Sequence, residues 1–339
     1  MYDLEVQRVV DEINKRGAKR VLVQLPDGLR PIALTLTDAL TQLTDSEIIL
    51  SGDSCYGACD LALPQARVID VDLIVHYAHS PLLPDPDIPA VYVEAHMDYD
   101  IPTLLEDVLG LLGDWSNVGL TSTTQHVHTL GEVSDYLIKA GYTPHIGGGT
   151  QRTPHSGQVL GCDYATALKV AAEVDGYLFI GAGRFHPTGL AMTTGKPVVM
   201  ANPYNMKAEK LSDDDIMLIA KKRMAAITHA KQAYRFGLIV SMKPGQFQLN
   251  TAGMIREKLA GVDKRGYIIY LNEASTLQLG NFTEVDAYID TACPRIAIDG
   301  VQGVNVPILT VTEALVMMGE VNWEDVWGKS YLTYQSQGL

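Results

Sequence analysis

The sequence predicts an α/β protein of three related domains, each a four-stranded, mainly parallel sheet flanked by helices, arranged around one central site. Three observations carry this reading. The chain has 339 residues, more than the roughly 250–300 at which a single hydrophobic core stops growing. Segments rich in Val, Ile and Leu recur in three sets of four, separated by stretches long enough for the crossover helices of parallel sheets. Finally, Cys59, Cys162 and Cys293 fall one in each third, each just beyond an apolar segment.

The first domain is expected over residues 1–105, with a helix at 4–16 and strands at 20–24, 48–51, 73–76 and 90–94. In the second, residues 106–215, strands are expected at 118–121, 143–147, 177–181 and 197–201, with helices at 130–140 and 165–174. The third, residues 216–339, offers strands at 237–241, 266–271, 287–290 and 307–311, with helices at 251–259 and 311–318. A long helix over 213–235 should link the second and third domains. The repeat rests on element order, since the thirds share no strong residue identity.

Hydrophobic residues make up 47% and charged residues 19% of the chain, a globular composition. The net charge of −14 opposes a general attraction to nucleic acid, which binds through Lys and Arg. The start carries no positive leader, and no stretch approaches about 18 uncharged apolar residues. The expectation is a soluble, cytoplasmic protein without a membrane segment. In a reducing cytosol, few and widely spaced cysteines suit metal or redox work better than disulfides.

Ligands of open α/β sheets bind beyond the carboxyl ends of the strands, and the chemically interesting residues gather there. Gly52-Asp53-Ser54-Cys55-Tyr56-Gly57-Ala58-Cys59-Asp60 follows one predicted strand, and Thr291-Ala292-Cys293-Pro294-Arg295 follows another. Leu160-Gly161-Cys162-Asp163 follows only the short apolar pair Val159-Leu160. Singly, each cysteine reads as a structural thiol; three of them in three matching domains point to a shared site. A thiolate triangle would leave one position of a metal cluster open for substrate. Polar loops at Gln24-Leu25-Pro26-Asp27-Gly28, His76-Tyr77-Ala78-His79-Ser80, Gly181 to Pro187 and Lys243-Pro244-Gly245-Gln246 fit the same end of the sheets. His126 and His128 share a face if extended but lack a third ligand for zinc.

Several motifs are absent. Gly181-Ala182-Gly183 lacks the third glycine of a dinucleotide fingerprint, and the chain holds no phosphate loop and no His-Glu-x-x-His helix. The Cys-x-x-x-Cys-x-x-Cys triplet of conventional radical S-adenosylmethionine enzymes is also missing, because Ala62 stands where its third cysteine would fall. Any cluster must be assembled by distant residues.

The residues Asp53 to Asp60, His76 to Ser80, Gly183-Arg184-Phe185-His186-Pro187 and Ala292-Cys293-Pro294-Arg295 resemble those of the archaeal diphthamide biosynthesis enzymes, the 2-(3-amino-3-carboxypropyl)histidine synthases. The motifs run in the family's order across nearly the whole chain. The resemblance implies a homodimer in which Cys59, Cys162 and Cys293 bind a 4Fe-4S cluster, with Cys55 an extra thiol. It implies transfer of a 3-amino-3-carboxypropyl group from S-adenosyl-L-methionine to C2 of a histidine in translation elongation factor 2. That reaction takes an electron from an external donor and breaks the bond between sulfur and the methionine γ-carbon. By motif position Gln24, Asp27, Gly28, His79, Arg184 and Lys243 are expected near cofactor or substrate. Two alternatives stay open: a quinolinate-synthase-like dehydratase, and a catalytically inert cluster-binding partner subunit.

Overall fold

The structure, a computed structural model, describes residues 2–83 and 85–332. Its first sheet is built from β1 (Arg20–Gln24), β2 (Glu47–Leu50), β3 (Leu73–Tyr77) and β4 (Ala90–Val93), all parallel, in the order β2-β1-β3-β4. The strands read as continuous apolar runs because helices cover both faces. Val21, Val23, Val75 and Val93 pack on α1 (Val6–Arg16) and α2 (Ala33–Leu43) through Val9, Val10, Ile13, Leu36 and Leu40. Leu22 and Ile74 point the other way, onto Leu61, Leu63 and Ala66 at the start of α3 (Leu63–Ile69).

The second sheet comprises β5 (Asn117–Ser122), β6 (Thr143–His145), β7 (Gly176–Ile180), β8 (Val198–Asn202) and β9 (Lys207–Lys210), in the order β6-β5-β7-β8-β9. The fifth strand, antiparallel to β8, is an addition to the four expected. Its Lys-Ala-Glu-Lys sequence is mostly exposed at the sheet edge and carries no apolar signal. Helices α4 (Ile101–Leu112) and α5 (Leu130–Lys139) cover one face, and α6 (Ala165–Leu168) and α7 (Phe185–Thr194) the other. The expected limit at residue 105 falls inside α4, whose Leu104, Leu105 and Val108 bury against this sheet.

The third sheet repeats the first in β10 (Arg235–Ser241), β11 (Arg265–Leu271), β12 (Ala287–Asp290) and β13 (Ile308–Thr310), ordered β11-β10-β12-β13 after α8 (Asp213–Ala230). The linking role expected of α8 holds: Ile216 and Ile219 lie against the second domain's apolar cluster, while Ile227 and Ala230 are buried in the third's. Around this sheet lie α9 (Leu249–Ala260), α10 (Thr276–Leu279), α11 (Pro294–Asp299), α12 (Val311–Met318) and α13 (Trp323–Val326). The chain then returns, burying Tyr331 and Leu332 in the second domain's cluster.

A buried ion pair fastens α8 to the third sheet. Arg223 donates to both carboxylate oxygens of Glu313, at 2.7 and 2.6 Å, and to the carbonyls of Ala297 and Ile308. Glu313 also accepts from the Tyr331 hydroxyl, at 2.5 Å, and closes the capping box of α12 with Thr310. Arg223→Ala strands a carboxylate that is 0% exposed, so a loss of about 3–5 kcal/mol is expected. Urea unfolding measures it, and an unchanged midpoint would contradict this role.

In all three sheets the chain passes from the first strand to a neighbour on one side and then to a neighbour on the other. The crevice of such a sheet opens at the carboxyl ends of the two central strands. Those ends are Gln24 and Tyr77, Ser122 and Ile180, and Ser241 and Asp290.

Candidate metal centre

Cys59 lies on the short 3₁₀ turn Ala58–Asp60, between β2 and α3. The buried Gln24 at the end of β1 holds this turn. Its amide nitrogen donates to the Asp60 carbonyl at 2.6 Å, and its amide oxygen accepts from the Ala62 N–H at 3.0 Å. Across the seam stands the third domain's 3₁₀ turn Pro244–Gln246. Lys243, 7% exposed, donates to Asp60 at 2.7 Å and to Glu273 at 2.8 Å, with its ammonium 5.0 Å from the centre of the Tyr56 ring. Gln246 donates to the Cys59 sulfur at 3.3 Å. Gly245 permits the approach, since a Cβ there would stand 2.5 Å from the Cys59 Cα.

Cys162 sits in a tight turn closed by reciprocal backbone hydrogen bonds between Leu160 and Asp163. The preceding Val159-Leu160 is no strand, but Gln158 bridges to Ser122 and so aligns the turn with the end of β5. Arg152 reaches the Cys162 sulfur at 3.8 Å and pairs with Asp163 at 3.3 Å. Gly161 lies against the Phe185 ring, over which the Arg295 guanidinium stacks at 4.1 Å. Arg295 thus ties the Cys293 loop to the second domain. Cys293 is the N-cap residue of α11, and its N–H donates to the Asp290 carboxylate at 3.3 Å.

The three thiols, from three sheets, lie close enough to act on one another. Burial, with the charge of Cys162 adding to it, raises the Cys59 pKa to about 11. Burial pushes Cys293 well above the ordinary thiol value, with Asp290, Cys162 and Cys59 adding to the rise. Burial also raises Cys162, against the pull of Arg152. Three desolvated thiolates cannot coexist so close together without a compensating cation. A bound metal centre supplies that charge and takes the thiols in their deprotonated form. The donor set therefore fits an iron–sulfur cluster, whose ligands are thiolates.

The other residues singled out in the sequence divide. Gln24 and Lys243 line a polar cleft of about 230 Å³ beside the Cys59 turn, together with Asp53, Asp60, Asn272 and Glu273. His79 lies behind it, its Nδ1 2.9 Å from Nε2 of His76. Asp27 and Gly28 do not reach the cleft. They are exposed on a 3₁₀ turn, where Asp27 pairs with Arg30 at 3.1 Å. Arg30 in turn donates to the Gly52 and Asp53 carbonyls. Arg184 is the N-cap residue of α7, and its half-exposed side chain pairs with Asp215 at 2.6 Å. Asp60, Gln246, Glu273 and Arg152 escaped the sequence reading. Asp60 and Gln246 stood in quoted motifs, whereas Glu273 and Arg152 had no local signal.

His126 and His128 do not form a metal pair. His128 pairs with Asp98 at 2.9 Å, while His126 is 1% exposed between the edges of the Tyr99 and Tyr204 rings. Burial holds the His126 pKa down at about 4, against roughly 6.5 for a free imidazole. The unfolded chain takes up that proton first, so the stabilisation is complete above about pH 6.5 and is lost as pH falls towards about 4. It amounts to roughly 2 kcal/mol less at pH 5 than at pH 7. The stability advantage of wild type over His126→Asn should therefore shrink between these pH values, as thermal melts would report. A constant gap would contradict the assignment.

Known proteins share this architecture. The family model for diphthamide synthesis proteins matches residues 25–328. The 2-(3-amino-3-carboxypropyl)histidine synthase of Pyrococcus horikoshii is 34% identical over 332 residues, covering 97% of this chain and 95% of its own. Subunit 1 of the synthase of Nematostella vectensis is 32% identical, covering 99% of this chain and 72% of its own. The crystal structure of Dph2 from Pyrococcus horikoshii with a 4Fe-4S cluster superposes with a TM-score of 0.87 at 33% identity, covering 95% of this chain and 93% of that one. Sequence and fold agree along almost the whole length, and the chain belongs to the family of diphthamide synthesis proteins.

Proposed function

We propose that the protein transfers the 3-amino-3-carboxypropyl group of S-adenosyl-L-methionine to C2 of a histidine ring in translation elongation factor 2, the first step of diphthamide biosynthesis. The observation that carries this reading is the meeting of Cys59, Cys162 and Cys293, from three sheets, in one desolvated centre. In this proposal the three sulfurs hold a 4Fe-4S cluster of the kind named for the Pyrococcus horikoshii relative. When bound, such a cluster supplies the electron that reductively cleaves the sulfur–γ-carbon bond, giving methylthioadenosine.

The chain's own residues bind and orient. The cleft beside Cys59 offers the carboxylates of Asp53, Asp60 and Glu273 to a cofactor carrying a sulfonium and an ammonium, and Lys243 to its carboxylate. Lys243 and Gln24 fix the Cys59 turn from opposite sides, which keeps cofactor and sulfur in register. An imidazole C2 is a poor nucleophile at neutral pH, so positioning of a reactive carbon against the ring is the protein's main task. The proposal includes a cytoplasmic homodimer and an external one-electron donor, both carried by the resemblance of the motifs. Among the described residues no helix is long and apolar enough to cross a membrane.

The test is incubation of the anaerobically reduced protein with S-adenosyl-L-methionine and elongation factor 2. Methylthioadenosine and an elongation factor carrying one aminocarboxypropyl group are expected. Deoxyadenosine as the cleavage product, or an unmodified elongation factor, would overturn the proposal.

A further inference from the structure

Behind the cleft the end of the first sheet gathers a second group of metal-binding side chains that the three-cysteine centre does not use. One ligand atom each of Cys55, His76 and His79 lies within 4.8 Å of the other two. His76 is 0% exposed and Cys55 5%. Here we propose a mononuclear metal site, formed by Cys55, His76 and His79, for a borderline-soft divalent cation of which zinc is the commonest.

The hydrogen bonds of Gln24 set the chemistry of His76. Because the Gln24 nitrogen faces the Asp60 carbonyl and its oxygen faces the Ala62 N–H, the amide can be oriented in one way only. The same oxygen lies 2.8 Å from Nδ1 of His76, so Nδ1 must carry the proton. Nε2 is then left unprotonated, its lone pair facing Nδ1 of His79 at 2.9 Å, so that a cation lodged there would replace this hydrogen bond. An imidazole whose second nitrogen donates to a fixed oxygen is the arrangement that orients metal-bound histidines. Burial also keeps both rings neutral, the form that binds metal, with His79 lowered to about 4.

The backbone supports the same reading. Ala78, between the two histidines, has φ +68°, a left-handed conformation that a non-glycine residue adopts at a cost. It is held there by its own N–H to Val93 at 2.6 Å and by the Gln125 side chain on its carbonyl. This bend turns His79 back over His76. A donor set of two imidazoles and a thiolate suits zinc and disfavours magnesium or calcium, which take oxygen ligands. Three protein ligands leave a fourth position for water or substrate.

The test measures metals in the protein purified anaerobically with zinc present and dialysed. About one zinc per chain, separate from iron, is expected in wild type. Cys55→Ala and His79→Ala should each lower zinc at least about tenfold while iron is retained. Cobalt in place of zinc should give a thiolate charge-transfer band that Cys55→Ala removes. In the chain with Cys59, Cys162 and Cys293 all replaced by alanine, zinc should persist, which separates this site from the cluster. Absence of retained zinc, or zinc that Cys55→Ala and His79→Ala leave unchanged, would overturn the proposal.

Discussion

Alanine at Cys59, Cys162 or Cys293 is expected to strip the protein of iron and abolish aminocarboxypropyl transfer, whereas Cys55→Ala keeps its iron. The four thiols differ above all in placement. Cys59, Cys162 and Cys293 come from three different sheets and influence one another's ionisation, with Gln246 and Arg152 donating to two of the sulfurs. Cys55 is buried, 5% exposed where the other three are half-buried, with its pKa raised to about 12 by desolvation, and its near neighbours are His76 and His79. Removing one of three thiolates leaves a cluster with two protein anchors, and no other cysteine stands in the second or third domain to replace the lost one. Iron per chain and methylthioadenosine formation, measured on all four variants, check this. Iron loss in Cys55→Ala equal to that in the others would contradict the ligand set.

Lys243→Ala should lower kcat/KM for transfer by about 100-fold, the cost of misplacing a bound reactant by about 1 Å. Lys243 bridges two domains: its ammonium joins Asp60, next to Cys59, to Glu273 beyond β11. Burial raises the Asp60 pKa and Lys243 opposes that rise, while the two carboxylates hold the lysine charged in spite of its own burial. Without the ammonium, Asp60 must take up a proton or turn towards water, and either releases the Cys59 turn from the third domain. Activity normalised to bound iron separates this effect from loss of cluster, and an unaltered kcat/KM would contradict it.

The strands were legible because parallel sheets covered on both faces are written as unbroken apolar runs such as Val21-Leu22-Val23 and Leu238-Ile239-Val240. Strand β9 was not, since an exposed edge needs no apolar residues. Helix α7 was hidden by apparent breakers: Gly183, at φ +75°, precedes it, and Pro187 sits in its first turn, where the missing N–H costs nothing. The expected helix at 165–174 stops at Leu168. The cysteines were recognisable from their distribution, but their partners were not. Arg152 meets Cys162 only through a folded turn, and Glu273 meets Lys243 only because β10 and β11 are neighbours. Asp27 and Gly28 had the composition of a binding loop, yet the 3₁₀ turn after β1 directs them to solvent. A polar residue after a strand marks the right end of a sheet without revealing which way its side chain points.

An anaerobic crystal structure of the iron-reconstituted protein would test the central claim most directly. One four-iron cluster is expected, bonded to Cys59, Cys162 and Cys293 through three of its irons, with no protein sulfur on the fourth. A cluster anchored by Cys55 in place of any of the three, or sulfurs of the three turned away from a common centre, would contradict it.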